Sequence, residues 1–334
     1  MTSVPQKTIK AAITAVGGFV PDDILTNFDL EKMVDTSDEW IMSRTGIKER
    51  RILKDPSKGT SFLAIEAARD VLSKTDTAPE EIDMLILATI TPDMKVAATA
   101  AKVATDIGAI NAFAFDLQAA CSGFLYSMSL AAAKIESGHC NKVLVVGADK
   151  MSSIVDYSDR TTCIIFGDGA GAVLMEVSSN SYGWEDDFFR SSGVGQDYLH
   201  VKAGGSLFPT SSYTLAKGWE SIYQDGKTVF KYAVSEMAAA TQKVLERNKL
   251  DPEMVDYVIA HQANKRILDA TQTRANLNKK KFLTNIEHYG NTTAATLPLL
   301  MRDFENQFKI GDKLLFTAFG GGFTWGSALY TWAY

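Results

Sequence analysis

Cysteine is scarce in this chain of 334 residues, where only Cys121, Cys140 and Cys163 occur. An odd, sparse set of thiols supports no disulfide framework, and a reducing, cytoplasmic compartment is expected. Long apolar runs are missing as well: no stretch approaches the roughly 20 residues a helix needs to cross a bilayer. Residues 1–7 lack the apolar core that export signals carry, so neither secretion nor membrane insertion is expected. Positive charge is not in excess. The 34 basic and 40 acidic side chains leave a net charge of −6, which disfavours nucleic acid or an anionic membrane as the default partner. Only four histidines are present, and no Cys-x-x-Cys, His-Glu-x-x-His, P-loop lysine motif or carboxylate cluster with ligand spacing occurs. The pattern therefore gives no support to metal or nucleoside-triphosphate chemistry.

What is present is an ordinary globular composition, 46% hydrophobic and 22% charged, in a chain long enough for two domains or one doubled one. The sequence echoes itself. Val71-Leu72, Pro79-Glu80, Asp83 and Ile86 return as Val244-Leu245, Pro252-Glu253, Asp256 and Ile259, at a constant offset (252 − 79 = 173). Each copy reads as an amphipathic helix, a Pro-Glu turn and a buried apolar strand, Met84-Leu85-Ile86-Leu87-Ala88 in one and Tyr257-Val258-Ile259-Ala260 in the other. Two copies of one α/β unit are expected, residues 1–180 and 181–334, with largely parallel sheets and helices on their faces. The Gly-, Ser- and aromatic-rich segment at about 181–227 has no repeat partner and reads as an irregular insertion.

Three turns could carry chemistry. In Phe113-Ala114-Phe115-Asp116-Leu117-Gln118-Ala119-Ala120-Cys121-Ser122-Gly123, a strand ends in small residues and a helix follows. Cys121 should stand at the helix N-terminus, where backbone N–H groups and the dipole would lower its thiol pKa. Its small neighbours would let a carbonyl approach and leave its N–H free as an oxyanion donor. By itself, a cysteine among small residues is more often a core thiol. In Ile259-Ala260-His261-Gln262-Ala263-Asn264 a histidine ends a buried strand, the edge where α/β sheets place ligands; His139, His200 and His288 lie in less telling places. In Tyr289-Gly290-Asn291-Thr292-Thr293-Ala294-Ala295 a second turn enters a helix. By order of elements it is the counterpart of the Cys121 turn, so Asn291 should stand where the nucleophile stands in the other half, as an amide donor or as a helix N-cap. Gly320-Gly321-Gly322 implies a close backbone approach, and one of its N–H groups could complete an oxyanion site with Cys121. Gly167-Asp168-Gly169-Ala170-Gly171 lacks dinucleotide-loop spacing and reads as packing.

The series Asp-Leu-Gln-Ala-Ala-Cys121-Ser-Gly-Phe, His261-Gln-Ala-Asn, Tyr-Gly-Asn291-Thr and Phe-Gly-Gly-Gly-Phe-Thr-Trp-Gly resembles β-ketoacyl-acyl carrier protein synthase III over nearly the whole chain. The resemblance implies a thiolase-like fold, a duplicated α/β unit in a five-layer α-β-α-β-α arrangement. It implies that Cys121 takes an acyl group from acyl-CoA, that His261 and Asn291 hold the thioester oxygen of malonyl-acyl carrier protein during decarboxylation, and that Cys121 and Gly321 N–H groups hold the oxyanion of the condensation. It places Trp40, Arg44 and Arg160 at CoA, and Gln262, Ala263, Asn264, Lys265 and Arg266, with Lys231, at the acidic carrier protein. A homodimer is implied, and no cofactor is needed beyond the CoA thioester substrate. The place of a Phe that closes the acyl pocket in acetyl-selective members holds Val96, which leaves acetyl and branched primers both open. Other readings are a Cys-His-Asn condensing enzyme of secondary metabolism using other acyl donors or malonyl-CoA, and a non-catalytic carrier-binding member. A thiolase would need a second catalytic cysteine, and Cys140 and Cys163 read as lying in a turn and an apolar strand.

Overall fold

Apolar runs without polar alternation become the interior strands of two sheets. The structure, a computed structural model, describes residues 9–334; residues 1–7, read above for the absence of an export signal, lie outside them. The first sheet contains β1 (Ala11–Phe19), β2 (Met84–Ala88), β3 (Phe113–Leu117), β4 (Lys142–Asp149) and β5 (Gly169–Val177), in the order β1-β5-β4-β2-β3. The helices packed on this sheet are α1 (Thr60–Ser73), α2 (Thr99–Ile107) and α3 (Gly123–Glu136). The second sheet contains β6 (Gly183–Ser191), β7 (Tyr257–Ala260), β8 (Lys313–Gly320) and β9 (Thr324–Thr331), in the order β6-β9-β8-β7, with helices α4 (Gly226–Arg247), α5 (Lys265–Arg274) and α6 (Thr296–Phe304).

Helices α3 and α6 lie between the sheets. Phe124, Leu125 and Met128 of α3 and Leu297, Leu300 and Met301 of α6 share one fully buried cluster with strand residues of both sheets. Each such side chain contributes about 1.5–3 kcal/mol by leaving water, so this central layer is the main bond between the halves. Helices α1 and α2 cover the outer face of the first sheet, and α4 and α5 that of the second. The result is the five-layer α-β-α-β-α arrangement.

The repeat is visible down to single hydrogen bonds. Asp83 N–H donates to the Lys142 carbonyl at 3.0 Å and its carboxylate accepts the Lys142 N–H at 3.0 Å. Asp256 does the same with Lys313, at 2.9 and 2.8 Å. Among the described residues the second sheet has four strands, and a lone parallel bridge between Val258 and Phe282 stands in the place of a fifth.

Three expectations need correction. The sheets are mixed, not largely parallel: β1 with β5, β5 with β4, β6 with β9 and β9 with β8 are antiparallel. The connection from Gly320 to Thr324 is too short for a helical crossover, so β9 must return antiparallel. The segment at 181–227 is not irregular throughout, because Gly183–Ser191 pairs along β9 as the counterpart of β1; its acidic run Glu185-Asp186-Asp187 masks the strand in the sequence. Cys163 lies in a buried turn rather than a strand. Among the described residues, no helix is long and apolar enough to cross a membrane.

Candidate active site

The ends of the two sheets meet around a cavity of about 500 Å³ whose wall includes Cys121, His261, Asn291 and Gly321. Cys121 sits in a short turn, Ala120–Ser122, directly before α3, with Ala120 in the left-handed region at φ 46°. Gly320, the last residue of β8, packs on that turn: a Cβ there would lie 2.6 Å from the Cys121 nitrogen and 3.1 Å from the Ala119 carbonyl oxygen. Only glycine tolerates this approach, which brings Gly321 beside the nucleophile. Burial pushes the Cys121 thiol up to about 12, with the Asp149 carboxylate adding to the rise. Burial thus works against the lowering expected from the helix terminus, because a buried thiolate loses its hydration.

His261 follows β7, is buried, and donates its backbone N–H to the Thr317 carbonyl at 2.9 Å. Its Nδ1 lies 2.7 Å from the Thr296 hydroxyl. Burial lowers its pKa to about 3, so the imidazole is neutral at ordinary pH. Asn291 is held by backbone bonds to the first half: its N–H donates to the Ile165 carbonyl at 2.9 Å, and its carbonyl accepts from Gly167 N–H at 3.1 Å. Its Oδ1 accepts the Thr293 N–H at 2.8 Å, which turns the amide nitrogen toward the cavity.

Asn291 does not occupy the counterpart position of Cys121. Thr293, at φ 53°, precedes α6 by three residues just as Ala120 precedes α3, so Ala294 matches Cys121 and Asn291 matches Gln118. Nor is Asn291 a helix N-cap; Ala295 precedes α6.

Comparison with known proteins supplies the family. The family described as 3-oxoacyl-[acyl-carrier-protein (ACP)] synthase III matches residues 115–193, and its C-terminal part matches residues 245–332. The β-ketoacyl-[acyl-carrier-protein] synthase III of Phocaeicola vulgatus is 52% identical over 326 residues, 98% of either chain. That of Chlorobium chlorochromatii is 50% identical over 328 residues, 97% of this chain and 100% of the relative. The crystal structure of 3-oxoacyl-[acyl-carrier-protein] synthase III from Aquifex aeolicus matches with a TM-score of 0.88 at 41% identity, over 97% of this chain and 100% of that one. The chain belongs to the β-ketoacyl-acyl carrier protein synthase III family.

The other residues that the resemblance singled out fall into two groups on this synthase-family chain. Arg160 and Arg44 lie 5.0 and 5.5 Å from the centre of the Trp40 ring, so the three form one cluster at the surface. Lys231 on α4 and Lys265 and Arg266 at the start of α5 are exposed, and Arg266 stacks over Phe230 at 5.5 Å. Ala263 and Asn264 line the cavity instead, and the Asn264 side chain caps α5 by accepting the Ile267 N–H at 2.9 Å.

Gln262 cannot serve as a surface contact. It is buried, donating to the Ala260 carbonyl at 2.8 Å and accepting from the Thr284 hydroxyl at 3.0 Å and Asn285 N–H at 3.2 Å. His200, given no role from sequence, lines the cavity. Asp149 closes an apolar strand of the first sheet as His261 follows one of the second, and its carboxylate acts on Cys121; an acid ending an apolar strand is the sequence signal for it.

Proposed function

We propose that this chain condenses an acyl-CoA primer with malonyl-acyl carrier protein, giving β-ketoacyl-acyl carrier protein, CoA and CO₂, the opening step of fatty acid synthesis. The observation that carries the reading is the convergence of Cys121 from one half with His261 and Asn291 from the other on a single cavity.

The Cys121 sulfur attacks the CoA thioester, and the thiol proton leaves on the departing CoA thiolate. Malonyl-acyl carrier protein then enters. Its C–C bond to the carboxylate breaks and CO₂ departs, leaving negative charge on the thioester oxygen, where a neutral His261 N–H and the Asn291 amide donate hydrogen bonds. Donors preorganised in a buried site stabilise developing charge far better than water does. A neutral imidazole suits this task, since it supplies an N–H without holding a proton that would quench the carbanion. The carbanion attacks the Cys121 acyl carbonyl, whose oxyanion rests on the N–H groups of Cys121 and Gly321, and the freed thiolate takes a proton from solvent. No cofactor enters these steps.

Trp40, Arg44 and Arg160 are suited to a CoA nucleotide, by ring stacking and by charge. Lys231, Lys265 and Arg266 suit an acidic carrier. The edge strand β3 and the loop before it expose Phe113 and Ile110, which supports a homodimer formed across that edge. Val96 is fully exposed at a loop tip, in keeping with a contact across such a dimer.

Mass spectrometry after mixing with acetyl-, isobutyryl- and longer acyl-CoAs tests the first step. An acyl adduct on Cys121 is expected, and its preferred chain length identifies the primer; no adduct from any of them overturns the reading. Comparing malonyl-carrier with malonyl-CoA as the second substrate separates it from a condensing enzyme of secondary metabolism.

A further inference from the structure

Asp149 closes β4 in the first half and is completely buried. Its Oδ1 accepts from the Thr89 hydroxyl at 2.9 Å, Ile90 N–H at 2.8 Å, Thr91 N–H at 3.1 Å and the Thr91 hydroxyl at 2.9 Å. Its Oδ2 takes the hydroxyl of Thr293. All of these partners are neutral, and a buried carboxylate persists only where such donors are held firmly around it. Four of the contacts lie within the first half; the Thr293 contact crosses to the second.

Thr293 carries an unusual load. Its φ of 53° lies in the left-handed region, which β-branched residues avoid, and such conformations persist where surrounding bonds over-determine them. The hydroxyl is tied to Asp149 Oδ2, with the Thr292 carbonyl also 2.7 Å away. The N–H is tied to Asn291 Oδ1 at 2.8 Å. The carbonyl lies 3.0 Å from the Thr296 hydroxyl, which is itself 2.7 Å from His261 Nδ1. The Asn291 amide therefore takes its orientation from Thr293, and Thr293 is fixed by Asp149.

We propose that Asp149 is a positioning residue that sets, through Thr293, the direction of the Asn291 amide in the decarboxylation half-reaction. If Thr293 were released, the Asn291 amide could turn over and present its oxygen to the developing negative charge. The inference rests on the donor role of Asn291 argued above, and N291A is included to test that role separately.

The test measures two rates in the full-length protein: CO₂ release from malonyl-acyl carrier protein, and acylation of Cys121 by acyl-CoA followed by mass spectrometry. T293V cuts the link to Asp149 while keeping the side-chain shape, and T293S restores the hydroxyl. Decarboxylation is expected to fall about 100-fold in T293V and D149N and to recover to within about threefold of the parent in T293S, with acylation within about threefold of the parent in T293V and T293S. Decarboxylation at the parental rate in T293V, with N291A inactive, overturns the positioning role and leaves the donor role standing. Parental decarboxylation in N291A overturns the donor role of Asn291 itself. Equal loss of both half-reactions in T293V and T293S also overturns the proposal, because it marks Thr293 as merely structural. The valine and serine pair leaves the carboxylate untouched, so it decides the question even should D149N fail to fold.

Discussion

Gly320 lies so close to Cys121 that a single methyl group on it would come within 2.6 Å of the nucleophile's backbone nitrogen. The nitrogen is a backbone atom, as is the Ala119 carbonyl oxygen 3.1 Å from the same point, so no flexible side chain can give way there. In G320A the turn at Ala120–Ser122 must shift, taking the sulfur and the proposed oxyanion donor with it. Displacements of about 1 Å at a reacting centre cost on the order of 100-fold in rate. We expect Cys121 acylation to slow by about that factor in G320A, measured by single-turnover mass spectrometry. An unchanged rate would show that the turn relaxes at no cost to the chemistry.

The Cys121 thiol, pushed up to about 12 by burial and by Asp149, should be almost entirely protonated at neutral pH. Its thiolate fraction then grows about tenfold for each pH unit below that value. Alkylation of Cys121 by iodoacetamide, followed on the peptide by mass spectrometry, should rise log-linearly from pH 7 to 9 without levelling. A plateau near neutrality would mean that the helix terminus outweighs burial after all.

The way each feature could be read from sequence follows from the range of the interaction that fixes it. The Met84–Ala88 and Tyr257–Ala260 strands and their Pro-Glu turns are dictated by local apolar runs and turn residues, so the doubling is visible without coordinates. Gly183–Ser191 was missed because its Glu185, Asp186 and Asp187 interrupt the apolar pattern, and it becomes a strand by pairing with distant Thr324–Thr331. Cys121, His261 and Asn291 stand out because each closes a strand or enters a helix. Their environments are another matter: the pKa of Cys121 depends on how deeply α3 and Gly320 bury it. The fate of Gln262 depends on Leu283, Thr284 and Asn285, which reach it only in the folded chain.

Lys231 and Arg266 project from the neighbouring helices α4 and α5 into solvent, on a molecule whose overall charge is −6. Local positive charge on a negative protein acts mainly on encounter with an acidic partner and is screened by salt. In the double variant K231E/R266E, KM for malonyl-acyl carrier protein should rise about tenfold and lose most of its dependence on ionic strength. Acylation by acyl-CoA should stay as in the parent. A rise in both would place these residues at the acyl-CoA step instead.

His261 offers a stability test that does not depend on turnover. Its folded pKa of about 3 lies below the unfolded value of about 6.5, so between these values the unfolded chain binds more protons than the folded one. Stability contributed by the neutral imidazole is therefore present above about pH 6.5 and is lost as pH falls toward 3. Taking about 1.4 kcal/mol per unit, His261 alone should cost about 2 kcal/mol between pH 7 and pH 5, a window above most carboxylate titrations. Urea unfolding at those two pH values should show the parent losing about 2 kcal/mol more than H261Q, whose side chain cannot take up a proton. Equal losses in the two proteins would mean that His261 is protonated within the folded state, and the neutral donor assigned to decarboxylation would have to be a charged one.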